Sequence, residues 1–200
     1  MTVLAACYDP DRNRILVGHD TGHTLNGLIV YSEDKTVRSA DGSTLLAVAG
    51  NSRWADVVRE SGVLDADGSA WDLCLRIRTA IRDDGAVADS ADDAWLWRTN
   101  FSGILCRAGE LFLLDGAVSP LLIAETMTYG TPTDIQPVLG PGFCATGAGE
   151  DFTRGAWHAL MGVEDYAYRG KLMEAIEAAI YWSAYCHGRA VIYEVPAEST

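Results

Sequence analysis

Residues 2–20, TVLAACYDPDRNRILVGHD, decide the fold that we predict for this chain. Two apolar runs, TVLAACYD and RILVGHD, flank DPDRN, a cluster of turn-forming residues. Apolar runs separated by such a cluster predict a β-hairpin. The first strand begins almost at once after Met1 and Thr2, although chain termini usually fray unless something holds them. Thr2 is therefore a candidate functional residue.

The composition is that of a globular protein with an acidic surface. The chain has 200 residues, of which 48% are hydrophobic, and a net charge of -13. This length suits one domain with a substantial core, so we predict a single domain over residues 1–200. The negative charge argues against a nucleic-acid backbone or an anionic membrane surface as a partner.

Cysteine spacing and hydropathy indicate a cytoplasmic protein. The five cysteines are odd in number, widely spaced and mostly set in apolar runs, as is typical of reduced, packed thiols. No apolar run reaches the roughly 18 residues that a membrane-spanning helix needs. The N-terminus also lacks the basic region and apolar run of a signal peptide.

The first half of the chain predicts strands followed by two helices. After a loop, GLIVYSEDKTV and LLAVAG are typical of strands. NSRWADVVRES predicts a helix capped by Asn51 or Ser52 and ended by Gly62. SAWDLCLRIRTAIRDDG predicts a second helix, capped by Ser69 and followed by Gly85.

The second half predicts strands, two helices and a last strand. AWLWRTN, SGILCRAG and ELFLLDG have strand character, whereas residues 117–142, with four prolines, give no clear pattern. GFCATG predicts a strand that leads into a helix near Asp151. KLMEAIEAAIYWSAYCHG predicts a helix ended by Gly188, and RAVIYEV a closing strand. Separate blocks of strands and helices predict a layered α+β fold.

The order of these elements, with a threonine directly after the initiator methionine, resembles the proteasome β-subunits and bacterial proteasome-like peptidases. The matching marks are Thr2, Asp20 in ILVGHDTGHT, Lys35 in EDKTV and Gly50 in LLAVAGN. CATGAGEDFTRGAW resembles the family's glycine-serine-glycine turn and the helix after it. AIEAAIYWSAYCHGRAVIYEV resembles its last long helix and closing strand. The resemblance implies a four-layer αββα sandwich with two antiparallel sheets between helix layers, the N-terminal-nucleophile hydrolase fold.

The resemblance also implies a threonine peptidase in which Thr2 is the nucleophile after removal of Met1. A free α-amino group can take the proton of the hydroxyl on the same residue, because its pKa lies near 7.7 to 8.0 in peptides. Lys35 would lower the pKa of the hydroxyl, and Asp20 would pair with Lys35 and orient it. The backbone N–H of Gly50 would face the oxyanion. Spacing alone favours the simpler interpretation, in which Asp20 and Lys35 form a surface ion pair and Gly50 ends a strand, and only the family resemblance favours the catalytic one.

Three positions depart from the family pattern. Ala148 stands where the family turn has a serine, and Ser183 and Cys186 stand where the family often has an aspartate and a serine. Ala148, Ser183 and a retained Met1 favour a second hypothesis, a non-catalytic structural ring subunit of the same fold. A third is an amidohydrolase acting on small amides, because one fold supports several acyl-transfer reactions.

Assembly and partners are expectations from the same resemblance. Such subunits stack into rings that enclose their sites, so we expect a homo-oligomeric ring, six- or seven-fold. The expected substrate is a peptide or an unfolded protein, and an ATP-driven unfoldase is the expected partner.

Other motifs predict no metal and no cofactor. His19, Asp20 and His23 could be metal ligands, but two histidines four residues apart share a face only on a helix. DPDRN has Arg14 where a calcium loop needs a glycine. The glycines of GPGFCATGAG lack a complete nucleotide-binding fingerprint. The predicted helices also carry tryptophans that we assign to the core or to a subunit interface: Trp54, Trp71, Trp157 and Trp182.

Overall fold

The predicted N-terminal hairpin is present in the computed structural model of the protein. Its strands are β1, Val3–Asp9, and β2, Arg14–Asp20. They pair antiparallel, and Asn13 adopts a φ of 45° in the turn between them. Asparagine tolerates this left-handed region better than most residues, which suits the turn. The structure describes residues 2–25, 28–31, 35–50, 53–84, 102–114, 120–125 and 142–196.

The hairpin forms the centre of an antiparallel sheet. Strand β10, Phe143–Gly147, pairs with β1, and β11, Ala190–Pro196, pairs with β2. The order in the described part of the chain is β10–β1–β2–β11. Val3 lies opposite Gly147, and Asp20 lies opposite Ala190. The start of β1 and the end of β2 are therefore bordered by segments from the last third of the chain.

A second antiparallel sheet comes from the middle of the chain. Over the ranges that the structure describes it has five strands, each paired with the next in chain order. They are β5 Thr36–Arg38, β6 Thr44–Ala49, β7 Ser102–Arg107, β8 Glu110–Leu114 and β9 Pro120–Glu125.

Residues 22–38 differ from the prediction. Gly22–Leu25, predicted as loop, is strand β3 and pairs with β4, Leu28–Tyr31. GLIVYSEDKTV, predicted as one strand, contributes β4 to this pair and β5 to the five-stranded sheet. Gly22 misled the prediction, because glycine in a strand often marks a close backbone approach rather than a loop. Here Gly22 packs against His187.

Two helices lie on the five-stranded sheet. The first, α1, is Arg53–Ser61, and the second, α2, is Ala70–Asp83. The predicted cap Ser69 forms a capping box, in which its hydroxyl accepts from the N–H of Asp72 at 3.2 Å and its own N–H donates to the Asp72 carboxylate at 3.0 Å. The predicted caps Asn51 and Ser52 and the strand AWLWRTN lie outside the described residues, as does most of 117–142 apart from β9.

Two further helices cover the hairpin sheet. They are α3, Glu150–Met161, and α4, Tyr168–Trp182. The predicted end of α4 at Gly188 was wrong, because Ser183 already adopts an extended conformation. The residues that follow make other hydrogen bonds instead of helical ones: the N–H of Tyr185 donates locally to Ser183 Oγ, and the N–H of His187 donates to Asp20, which is far away in the chain.

Three buried apolar layers confirm the predicted αββα sandwich. One lies between α1 and α2 and the five-stranded sheet, one between the two sheets, and one between the hairpin sheet and α3 and α4. Side chains alternate along β1, so Val3 and Ala5 face the helices while Leu4 and Ala6 face the other sheet. Both faces are buried, which explains the uninterrupted apolar run.

The tryptophans divide between core and surface. Trp54 and Trp157 are 2% and 1% exposed, as expected of core residues. Trp71 and Trp182 are 54% and 68% exposed. All five cysteines are free and buried, in agreement with the prediction of packed thiols.

Candidate active site

Thr2 lies buried at the start of β1, beside the turn between β10 and α3. Its carbonyl oxygen accepts a hydrogen bond from the N–H of Ala148 at 2.8 Å. A Cβ on Gly147, which has a φ of 95°, would stand 2.4 Å from that carbonyl oxygen. Only glycine permits both this conformation and this approach. The small-residue turn therefore holds the main chain of Thr2.

The structure brings Thr2, Asp20 and Lys35 together. Lys35 Nζ donates hydrogen bonds to Thr2 Oγ1 and, at 2.8 Å, to Asp20 Oδ1. Thr2 Oγ1 also donates to Asp20 Oδ1. The three residues are 6%, 0% and 2% exposed, respectively. The pair of Asp20 and Lys35 is thus a buried ion pair and not the surface pair that spacing alone allowed.

Asp20 receives four hydrogen bonds in this site. Besides Thr2 and Lys35, the N–H of Val3 donates to Oδ1 and the N–H of His187 donates to Oδ2, each at 3.0 Å. Donors at both oxygens and an adjacent ammonium stabilise the ionised carboxylate. Asp20 therefore supplies a fixed negative charge beside Thr2.

Lys35 has acceptors for all three of its N–H bonds. The third acceptor is the carbonyl oxygen of Gly22, at 2.7 Å. Burial lowers the pKa of Lys35 from its ordinary value, and the charge and hydrogen bond of Asp20 oppose that effect. With three acceptors in place, the geometry is that of an ammonium ion directed at the Thr2 hydroxyl.

Gly50 follows β6 at the same end of the sheet as Lys35. The N–H of Val48 donates to the carbonyl oxygen of Lys35 at 2.9 Å, and Gly50 comes two residues later. Its φ is 118°, a conformation that favours glycine. Gly50 thus directly follows the last residue of a strand, as the simpler interpretation of the sequence expected.

Cys186, one of the two residues at positions where the family often has an aspartate and a serine, lies near the ion pair of Asp20 and Lys35 and is hydrogen-bonded to the other, Ser183. Cys186 is fully buried, and a Cβ on Gly149 would stand 2.7 Å from its Sγ. Burial, together with the charge of Asp20, raises the pKa of the Cys186 thiol to about 11, while a hydrogen bond with Ser183 opposes the rise. Cys186 is therefore a neutral thiol at neutral pH. Ala148 brings a methyl group to the turn beside Thr2.

Sequence reasoning missed two main-chain groups of this site, the carbonyl of Gly22 and the N–H of His187. Main-chain groups carry no residue-type signal. The only hint was the glycine directly after the Asp-Thr pair, which can mark a close backbone approach.

The histidine beside Asp20 is a core residue. His19 is fully buried, its Nδ1 lies 2.8 Å from the carbonyl oxygen of Asp20, and its ring stacks on Tyr193. The side chain of His23 lies outside the described residues. Within the ranges that the structure describes, no group of three or more His, Cys, Asp or Glu side chains could hold a metal ion. Over the same ranges, no helix is long and apolar enough to cross a membrane.

Comparisons with known proteins identify the fold. No protein-family model matches the sequence, and no curated protein matches it. Among solved structures, BPH of Thiobacillus denitrificans is 12% identical, with a TM-score of 0.73 and 100% of each chain covered. The same protein in complex with epoxomicin is 14% identical, with a TM-score of 0.71 and 100% of each chain covered.

A third similar structure is eukaryotic HslV from Trypanosoma brucei. It is 19% identical, with a TM-score of 0.61, and the match covers 97% of this chain and 98% of that one. BPH and HslV are N-terminal-nucleophile hydrolase sandwiches. With its two antiparallel sheets between helix layers, this chain therefore has the fold of the proteasome-like N-terminal-nucleophile hydrolases.

Proposed function

We propose that the protein is an N-terminal threonine peptidase of the proteasome type, with Thr2 as the nucleophile once Met1 has been removed. The observation that carries the proposal is the buried network in which Lys35 Nζ donates to Thr2 Oγ1 and to Asp20. A hydroxyl at the start of a strand, held beside an ammonium and a carboxylate, is well placed for acyl transfer. Similarity to BPH and HslV, at 12–19% identity, supports the fold on which the proposal rests.

In the proposed reaction, Thr2 Oγ1 bonds to the carbonyl carbon of the substrate while its proton passes to the free α-amino nitrogen. Lys35 stays an ammonium ion, because acceptors occupy its three N–H bonds. It stabilises negative charge on Oγ1, and Asp20 fixes its position. The N–H of Gly50 is the proposed donor to the oxyanion.

The tetrahedral intermediate then loses its amine. The carbon–nitrogen bond breaks, the leaving nitrogen takes the proton from the α-amino group, and an ester between Thr2 Oγ1 and the acyl group remains. Water attacks this ester, releases the acid and restores the hydroxyl. No metal or cofactor is required at any step.

Covalent labelling tests the proposal. Protein that begins at Thr2 is incubated with epoxomicin, the ligand in one of the BPH structures, and its intact mass is measured. We expect a single adduct that maps to Thr2. The matched control is Thr2→Ser, which keeps a hydroxyl and should react, whereas Thr2→Ala should not. Absence of an adduct on the parent protein at every concentration tried would sink the catalytic proposal.

Assembly and partners belong to the same proposal. We propose a homo-oligomeric ring, six- or seven-fold, that encloses the sites, takes peptides or unfolded chains as substrates and works with an ATP-driven unfoldase. The mass of the particle in solution tests the ring, because it should be a multiple of six or seven subunit masses. The single domain over 1–200 and the cytoplasmic location stay predictions.

One observation favours a second candidate, a non-catalytic ring subunit. The turn at Thr2 offers the methyl of Ala148 where the family has a serine hydroxyl, although the main-chain contact at 2.8 Å is present. N-terminal sequencing of protein from its native host separates the two candidates. Uniform Met1 supports the structural subunit, and a mature Thr2 supports the enzyme.

A further inference from the structure

The connection between α4 and β11, residues 183–189, packs directly against the strand that carries Asp20. The N–H of His187 donates to Asp20 Oδ2 at 3.0 Å. Thr2, Val3 and Lys35 all donate to the other oxygen, Oδ1. The two carboxylate oxygens therefore have different partners: Oδ1 accepts from the hydroxyl and the ammonium, and Oδ2 accepts from the connection.

Gly22 contacts both Lys35 and the same connection. Its carbonyl oxygen accepts from Lys35 Nζ at 2.7 Å. A Cβ at position 22 would stand 2.5 Å from the Cβ of His187 and 2.8 Å from its carbonyl oxygen. These atoms belong to the main chain or are fixed to it, so they cannot turn away as the end of a long side chain could. Gly22 is not among the glycines with a positive φ, so the close contact with His187, and not the backbone conformation, excludes a larger residue.

Two more hydrogen bonds hold the connection in register with residue 21. The N–H of Thr21 donates to the carbonyl oxygen of Arg189, and the N–H of Arg189 donates to Thr21 Oγ1, both at 3.1 Å. Thr21 is 4% exposed. A shift of residues 187–189 would therefore move residues 20–22 with it.

We propose that Gly22 and the main chain of His187 are positioning residues: together they set the Asp20 carboxylate and the Lys35 ammonium against the Thr2 hydroxyl. Gly22 acts through its carbonyl and through its missing side chain, which lets His187 reach Asp20. The catalytic meaning of this arrangement rests on the function proposed above. The arrangement itself can be tested without any activity.

The main test replaces Gly22 by alanine and measures Lys35 directly. The titratable groups around Lys35 are Asp20 on β2 and Cys186 on the connection. In Gly22→Ala we expect the added methyl to displace His187 and the carbonyl acceptor, so the pKa of Lys35 falls further. Titration of the Lys35 side chain by NMR reports that change, and hydrogen exchange at the His187 amide should become faster.

Two variants serve as matched controls. Gly155→Ala adds the same methyl on the exposed side of α3, where nothing lies within 4 Å. His187→Ala removes the imidazole but keeps the main-chain N–H and the Cβ. Both should leave the Lys35 titration and the exchange at position 187 as in the parent protein. If the Lys35 titration or the amide exchange at position 187 changed in His187→Ala, the imidazole would be responsible for positioning the ion pair. That result would overturn the proposed role of the main chain.

A milder variant covers the case in which Gly22→Ala does not fold. Thr21→Val keeps the shape of the side chain and removes the acceptor for the N–H of Arg189. In Thr21→Val we expect the pKa of Lys35 to fall and exchange at the His187 amide to become faster, both by less than in Gly22→Ala. An unchanged Lys35 pKa and unchanged exchange at position 187 in the folded variants would overturn the proposal.

Activity adds a separate readout. If the parent protein reacts with epoxomicin, Gly22→Ala should react about 10- to 100-fold more slowly, as expected for a small misplacement of reacting groups, while Gly155→Ala should match the parent. If the parent protein does not react, the proposed function fails, and the titration and exchange measurements still decide whether Gly22 and His187 position the pair.

Discussion

Lys35 and Asp20 form an ion pair that is almost fully removed from water, with side chains 1% and 0% exposed. Removing one partner of such a pair leaves the other charge buried and unpaired, which typically costs about 3–5 kcal/mol. Removing either Lys35 or Asp20 should therefore lower the stability of the fold and also disrupt the proposed chemistry.

A pair of substitutions separates these two effects. We expect Lys35→Met to lower the free energy of unfolding by about 3–5 kcal/mol and to abolish labelling of Thr2. Adding Asp20→Asn should restore part of the stability, because the unpaired charge is gone, but not the labelling. Urea unfolding and intact mass measure the two quantities.

The control for these substitutions is an exposed ion pair. Asp56 contacts Arg59 at 2.8 Å, with side chains 49% and 39% exposed. Asp56→Asn should change the free energy of unfolding by no more than about 1 kcal/mol. A similar loss at both pairs would contradict the burial argument.

The lowered pKa of Lys35 predicts a pH dependence with a definite sign. In the folded protein Lys35 loses its proton below the ordinary value of 10.5. Between the folded pKa and 10.5 the unfolded chain binds more protons, so the contribution of Lys35 to stability grows with pH, is complete above 10.5 and is lost as pH falls through the folded pKa. Labelling of Thr2 should decline over this alkaline range. A labelling rate that stays constant up to pH 10.5 would contradict the assignment.

At the residue scale, the sequence supplied the identities but not the contacts. Thr2, Asp20 and Lys35 could be named from their order and from the family resemblance. Their meeting depends on the register of β1 with β2 and on the position of β5, and a list of residues does not contain these. The main-chain groups of Gly22 and His187 were invisible for the same reason.

At the scale of elements, α4 lies directly on the hairpin sheet because Gly18 has no side chain. A Cβ there would stand 2.4 Å from Ile176 Cδ1 and 2.5 Å from Ile192 Cδ1. Ile176 belongs to α4 and Ile192 to β11. Gly18 therefore leaves the space that the ends of the Ile176 and Ile192 side chains fill between helix and sheet.

Two glycine substitutions test this packing. Gly18→Ala should lower the free energy of unfolding by about 1–3 kcal/mol, because it overpacks a buried contact. Gly155→Ala adds the same methyl to an exposed helix position and should raise it by about 1 kcal/mol or less. Urea unfolding of both variants measures the difference, and equal effects would argue against a close contact at Gly18.

Local patterns placed most of the elements that the structure describes. Apolar periodicity and turn residues predicted the hairpin, β10, β11 and the four helices, and Ser69 capped α2 as expected. The predicted loop over Gly22–Leu25, which is strand β3, and the predicted end of α4 at Gly188 were wrong. In both places tertiary contacts near His187 outweigh the local signals of Gly188 and Gly22.

At the scale of the whole molecule, the end of α4 carries an aromatic surface. Tyr181, Trp182 and Tyr185 are 78%, 68% and 51% exposed. A whole aromatic side chain buries about 150–250 Å², and the exposed fractions of these three add up to about two whole side chains, so they could supply roughly half of the ~800 Å² that each partner buries in a typical interface. This surface suits contact with another copy in the proposed ring.

A substitution in this surface tests that expectation. Trp182→Ser should weaken assembly and leave the fold intact, because the side chain makes little contact within the subunit. Trp71→Ser, on the opposite helix layer, is the matched control, with Trp71 54% exposed. Sedimentation measures the assembly of both. Unchanged assembly in Trp182→Ser would exclude this surface from the contact.

By itself, the sequence determined the N-terminal hairpin, the strands β10 and β11, the presence of the four helices, and which residue types stand near the chain start. These properties follow from local propensity and from the period of the apolar pattern. Only the tertiary structure decided that Asp20 and Lys35 are buried together against Thr2. That outcome depends on strand register and on the segment after α4, and contacts between residues far apart in the chain fix both. The stretch TVLAACYDPDRNRILVGHD thus supplies the hydroxyl and the carboxylate, while Lys35, Gly22 and His187 reach them only in the folded chain.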